Sequence, residues 1–213
     1  MAEQTEVGIL AFGAYLPRLR LSRKAVADAN AWFAPGLKGL AKGERTMCNW
    51  DEDSVTMAVE AARDCLTGQD RDAVSSLVFA STTLPFEDRL NGGIIAEALN
   101  LKPTVNAQDL TASQRAATSG LVTAVQMARG GAGQVLVVAA EKRRTRTASP
   151  LELQAGDGAA AVLVGAGPVV ARLLASASRT VDFVDHFRGE GSEFDYTWEE
   201  RWIRDEGYNK IVP

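Results

Sequence analysis

Hydrophobic and polar positions follow two rhythms along this chain, short unbroken apolar runs and helical stripes, and the two alternate. Residues 7–17 (VGILAFGAYLP) form an apolar run of strand length closed by Pro17, which predicts a buried first strand. Ser22 fits the N-cap of a helix reaching about Trp32, after which Pro35, Gly36, Gly39 and Gly43 predict an irregular, solvent-facing loop. Behind the acidic triplet 51–53 (DED), Val55, Val59, Ala62 and Leu66 recur at helical spacing on one face. The carboxylates ahead of that stripe suit the positive end of the helix dipole.

Residues 76–81 (SLVFAS) read as a buried strand whose C-terminal end, continuing into Thr82 and Thr83, meets a pocket. A helix over 92–99 and a short strand over 105–110 follow. Residues 116–128 (AATSGLVTAVQMA) have no clearly polar face, which predicts a helix buried all round. Gly130, Gly131 and Gly133 end it, and residues 134–140 (QVLVVAA) are the most strand-like run in the chain. A turn and strand over 156–165 (GDGAAAVLVG) and a further apolar run over 169–175 complete the series. Strands that are apolar along their whole length and alternate with helices predict an α/β fold, a sheet covered on both faces by helices.

Past Arg179 the pattern changes. Residues 182–206 carry nine acidic side chains and three arginines, interleaved with Phe183, Phe187, Phe194, Tyr196, Trp198 and Trp202. Aromatics among charges predict a segment that docks on another domain or subunit rather than one that stays solvated.

Composition narrows the function classes. The chain has 213 residues, 46% hydrophobic and 23% charged, enough apolar content to build a core and too much for disorder. No stretch reaches membrane-spanning length and the first residues (MAEQTEVGIL) lack the basic and apolar regions of a secretory signal, so a soluble cytoplasmic protein is expected. Two cysteines, Cys48 and Cys65, make neither a disulfide framework nor a zinc site and read as buried thiols; with a single histidine, His186, no metal site is expected. A formal charge of −4 gives no electrostatic reason for a nucleic-acid partner.

Candidate chemistry concentrates at residues 109–120 (DLTASQRAATSG), a strand turning straight into a helix. Such a junction exposes one side chain at a helix N-terminus, where unpaired N–H groups and the dipole stabilise an anion. The ordered set VGILAFGAYLPRLRLS, DEDSVTMAVEAARDCL, SLVFAST, GGIIAEALNL, DLTASQRAATSGL, QVLVVAAEKR and GDGAAAVLVG resembles the N-terminal half of a thiolase-superfamily condensing enzyme. The likeness is greatest to the hydroxymethylglutaryl-CoA synthase branch, with ketoacyl synthase III also related. The segment FDYTWEERWIRDEGYNKIVP resembles the stretch leading into the second half of these enzymes.

The resemblance implies a layered fold of one βαβαβαββ half, spanning 1–178, with 179–213 leading to or docking on a second half or partner. It implies a coenzyme A thioester as substrate, no covalently bound cofactor, and a catalytic His supplied by the second half. The nucleophilic Cys position is held here by Gln114, followed by Arg115, and the acid/base Glu position by Thr82; Glu87, five residues on, does not take its place. An amide forms no thioester, so the usual covalent route to hydroxymethylglutaryl-CoA is closed to this polypeptide. Three functions stay open: a half or subunit of an acyl-CoA enzyme acting on a C–C bond next to a thioester, a catalytically silent interaction subunit, or a malonyl-thioester decarboxylase of the Cys-to-Gln type.

Partners implied are a complementary thiolase-like half or subunit in a homo- or hetero-oligomer, including an OB-fold zinc-ribbon protein, with neither nucleic acid nor membrane. Arg143 and Arg144 in the run 142–146 (KRRTR) either receive coenzyme A phosphates or lie on a solvated loop. Gly156 and Gly158 resemble the family's tight turn beside the active site, or serve a turn that needs positive φ. His186, far along the chain from Gln114, reads as a surface or interface histidine.

Overall fold

A computed structural model describes residues 6–212. Its centre is a five-stranded mixed sheet of β1 (Val7–Tyr15), β4 (Val74–Ala80), β5 (Asn106–Leu110), β6 (Gln134–Glu141) and β7 (Gly158–Ala166), in the order β1-β7-β6-β4-β5. Strands β5, β4 and β6 run parallel, and β7 is antiparallel to both its neighbours. With α2 (Ser54–Cys65), α3 (Asn91–Ala98) and α4 (Ala116–Arg129), the chain order β1-α2-β4-α3-β5-α4-β6-β7 is the expected βαβαβαββ. A short hairpin, β2 (Leu19–Ser22) with β3 (Glu44–Met47), is inserted after β1 together with α1 (Arg23–Ala29).

The sheet separates two cores. On one face α2 and α3 bury Met57, Ala61, Cys65, Ile95 and Leu99 against Leu77, Phe79, Leu136, Val138 and Leu163. On the other, α4 lays Ala124, Val125 and Ala128 on Val78, Val135, Val137 and Val164. The predicted stripe of α2 is buried as expected, and Asp53 caps the helix, its carboxylate accepting from Thr56 N–H at 2.8 Å while Thr56 Oγ1 accepts from Asp53 N–H. The approach of β1 to α2 requires Gly13, since a Cβ there would lie 2.2 Å from the Cys65 nitrogen. Ser22 caps α1 by accepting from Ala25 N–H.

Four expectations change. Strand β1 lies at the sheet edge, with Phe12 71% exposed. The loop after α1 contains a 3₁₀ helix, Pro35–Leu40, whose Leu37 packs with Ala27 and Leu153 in a small third core. The run over 169–175 is not a strand: it pairs with the sheet at one Ile9–Ala171 bridge and packs Leu173 against the core on the α4 side. Helix α4 is buried on one side only: Ala116, Gly120, Ala124 and Ala128 meet the sheet while Thr118, Thr123 and Gln126 are exposed, because small residues fit close packing without requiring cover all round. A short helix, α5 (Pro150–Gln154) capped by Ser149, was not anticipated.

Candidate active site

The turn between β5 and α4 forms one wall of an open cleft of about 600 Å³. Asp109, at the end of β5, fixes the approach to this turn: its carboxylate accepts from Asn91 N–H and Gly92 N–H, each at 2.7 Å, and from Asn91 Nδ2 at 3.0 Å, capping α3. Ala112 then adopts φ 63, a left-handed conformation that costs an alanine about 1–2 kcal/mol. This turn brings Gln114 and Arg115 to the head of α4, which has no side-chain cap, so its first-turn N–H groups keep their positive field at the cleft. The Arg115 guanidinium donates through Nε to Ser119 Oγ at 3.3 Å.

The ends of β4 and β6 form a second wall. Thr82 donates its N–H (2.6 Å) and its hydroxyl (3.0 Å) to the Glu141 carboxylate, and the Thr83 hydroxyl donates to the same group at 3.0 Å. Arg143 Nη2 in turn donates to Thr82 Oγ1 at 3.1 Å. The acidic, aromatic segment supplies the third wall. Within it β8 (His186–Phe187) pairs with β9 (Tyr196–Thr197), and Phe187, Tyr196, Trp198 and Trp202 lie in successive ring contact. Asp195, 3% exposed, lies 3.4 Å from both Arg143 and Arg188, and Arg188 donates to the Thr82 carbonyl.

His186 is brought to Gln114. Their Nε2 atoms are 2.6 Å apart, and His186 Nδ1 is 2.7 Å from Asp185 Oδ1. A carboxylate only accepts, so Nδ1 carries the proton; in the neutral ring Nε2 is then the acceptor of the Gln114 amide N–H. The contact spans 72 positions of sequence, and the assignment of His186 to a surface remote from the junction is corrected.

The other anticipated residues divide. Thr82, Gln114, Arg115 and Arg143 line the cleft, and Arg143 is not on a solvated loop, its side chain being 16% exposed. Arg144 points outward, 74% exposed, and pairs with Glu193. Gly156 and Gly158 are not among the lining residues, nor is either at positive φ. Gly156 instead serves a close approach, a Cβ there lying 2.7 Å from Thr46 Oγ1. The intervening Asp157 is buried and accepts from Cys48 N–H at 2.7 Å.

Glu141, Arg188 and Asp195 escaped sequence reading. Glu141 had one available signal, a carboxylate closing an apolar strand parallel to β4, whose end leads into Thr82. No thiol reaches the cleft: Cys48 and Cys65 are buried in the α2 core, and burial pushes them up to about 12 and about 11. Among the described residues no cluster of His, Cys, Asp or Glu suits a metal ion, and no helix is long and apolar enough to cross a membrane.

A sheet of this topology, with a cleft at the turn entering its buried-face helix, places the chain in the thiolase-like class. The structure superposes on MvaS in complex with 3-hydroxy-3-methylglutaryl coenzyme A with a TM-score of 0.79, over 93% of this chain and 49% of that one, at 24% identity. The priming β-ketosynthase of the R1128 polyketide pathway gives 0.68 at 26% identity, over 79% and 52%.

Within that class the chain is a homologue of the hydroxymethylglutaryl-CoA synthases. It is 33% identical over 165 residues to the synthase of Aeropyrum pernix, covering 76% of this chain and 46% of that protein. To the synthase of Methanocaldococcus jannaschii it is 30% identical over 191 residues, covering 88% and 55%. The chain thus spans about half the length of the curated relatives it matches. No protein-family profile matches it.

Proposed function

We propose that this chain is a component, a half or subunit, of a thiolase-type acyl-CoA enzyme that makes or breaks a C–C bond next to a thioester without an acyl-enzyme intermediate. The observation that carries this reading is Gln114 at the head of α4, facing a cleft that no thiol reaches. In that position the uncapped first turn of α4 stabilises the negative charge that develops on a thioester oxygen as its α-carbon becomes nucleophilic. Arg115 and Arg143 hold the anionic part of the substrate, a carboxylate or a coenzyme A phosphate. Residues 1–178 make up the condensing-enzyme half and 179–213 the segment over its cleft. Exposed Phe12, Trp32 and Trp50 support cover by a complementary half or subunit, and two free thiols suit a reducing cytoplasm.

Three guanidiniums against two carboxylates in the cleft favour a second reading, loss of carbon dioxide from a malonyl thioester bound through its carboxylate. The test is acyl transfer from radiolabelled acetyl-CoA to the assembled protein. The native protein is expected to retain no covalent label while binding acetyl-CoA, and Gln114→Cys to gain label. Covalent label on the native chain overturns the non-covalent route, and failure of both forms to bind acetyl-CoA leaves a structural subunit as the function. Release of carbon dioxide from malonyl-CoA by the native protein decides for the second reading.

A further inference from the structure

Asp185, His186 and Gln114 form a linear relay that opens on the cleft, and it is built within one chain. The imidazole is fixed at both nitrogens, by Asp185 Oδ1 at 2.7 Å from Nδ1 and by the Gln114 amide at 2.6 Å from Nε2. The backbone contributes as well, since the His186 N–H donates to the same Asp185 oxygen at 2.8 Å. The ring is 23% exposed, so it is reachable from the cleft but held by its surroundings. Strand β8, to which it belongs, is tied down by pairing with β9 and by Arg188 on the Thr82 carbonyl.

We infer that His186, oriented by Asp185, is the proton-transferring group of the Gln114 cleft, acting at the α-carbon of a bound thioester. The inference rests on the thioester reading above and extends it. In the step, the bound thioester displaces the Gln114 amide from Nε2 and frees the ring's one lone pair; Nε2 then takes a proton from the α-carbon, the C–H electron pair becomes the second C–C bond, and the carbonyl π pair moves onto oxygen at the head of α4. The imidazolium so formed is paired with Asp185, and its proton returns to carbon, or to the electrophile's oxygen, to close the cycle.

Gln114 holds the ring without competing for its proton. Its amide nitrogen donates to the neutral Nε2 while the cleft is empty, and a neutral amide yields that place to the thioester carbon without itself giving or taking a proton. A thiol at this position would instead give up its own proton to the imidazole. An amide leaves the imidazole as the base for carbon.

The charged groups around the ring are Asp185, Arg188 immediately after β8, Arg115 at the head of α4, and the Arg143–Asp195 pair across the cleft. Replacing Asp185 by Asn removes the adjacent anion that pairs with the imidazolium formed in the step.

The experiment is exchange of the methyl protons of acetyl-CoA in D₂O, followed by mass spectrometry, with the chain in its native assembly. The imidazole Cε1–H resonance that disappears in His186→Gln is that of His186, and it reports acetyl-CoA binding independently of exchange. Exchange is expected in the native protein and should fall at least a hundredfold in His186→Gln. Asp185→Asn should slow exchange about tenfold while leaving acetyl-CoA affinity unchanged, a split a merely structural aspartate would not produce. Native-like exchange in His186→Gln, or no exchange by a native protein whose histidine resonance shifts with acetyl-CoA, overturns the inference and leaves the thioester reading in place. A histidine resonance unmoved by acetyl-CoA, with no exchange, overturns the thioester reading itself.

Discussion

Asp109 joins the strand that carries the site to the helix beside it, and Asp109→Ala measures that joint. The substitution deprives the backbone N–H groups of Asn91 and Gly92 of their acceptor, while the Asn91 side chain keeps the carbonyls of Phe86 and Arg89. Leu90, the residue preceding α3, offers no side-chain cap of its own. Each stranded N–H costs about 1–3 kcal/mol, and water reaching the turn recovers part of that, so a loss of about 2–4 kcal/mol is expected. For a chain of this size that is a fall in Tm of about 4–16 °C. Asp109→Asn keeps one acceptor oxygen and loses the charge, and should cost about half as much. Urea unfolding followed by circular dichroism reads the change as a lower midpoint at constant slope. An Asp109→Ala protein within about 0.5 kcal/mol of the native one would refute the assignment of Asp109 as the cap of α3.

Three further outcomes are expected. The thiols of Cys48 and Cys65 have folded-state values raised above the ordinary one near 9, so their contribution is complete at lower pH and is lost as pH rises toward 11 to 12. Urea unfolding between pH 8 and 10.5 should show stability falling with pH, and Cys65→Ala should remove one proton's worth of that slope. Ala112→Gly relieves the left-handed strain and should stabilise the protein by about 0.5–1 kcal/mol, read as a higher urea midpoint. Gly13→Ala sets a Cβ against the backbone of α2, 2.6 Å from the Ala61 carbonyl oxygen and 2.8 Å from the Cys65 Cα. It should cost about 1–3 kcal/mol or more, whereas Gly36→Ala, with open space around it, should leave Tm nearly unchanged.

What could be read from the sequence was what depends on neighbours in the chain. The stripe Val55, Val59, Ala62 and Leu66 and the runs that became β4 and β6 are local patterns whose burial follows from their period, and they place the β5–α4 turn correctly. Helix α4 misled because alanine, glycine and threonine tolerate close packing and exposure equally well. The hairpin β2–β3 passed unnoticed because its strands are four residues long and largely polar. Residues 169–175 are apolar enough for a strand, yet pairing depends on an available sheet edge, and they meet β1 at one bridge. The Gln114–His186 contact was beyond reach for a different reason. Nothing in the composition of an acidic, aromatic segment says which surface it will cover.

Asp195 gives that segment a property that concerns binding equilibria. Its buried carboxylate is shared by Arg143, rooted beside the sheet, and Arg188, carried by the segment itself. Any anion that draws either guanidinium to itself competes with Asp195 for it. Occupancy of the cleft by an anionic ligand and attachment of the 185–195 segment are therefore thermodynamically linked, each altering the free energy of the other by the same amount. The wall that delivers the imidazole is thus also the wall whose hold on the protein registers the charge of what has been bound.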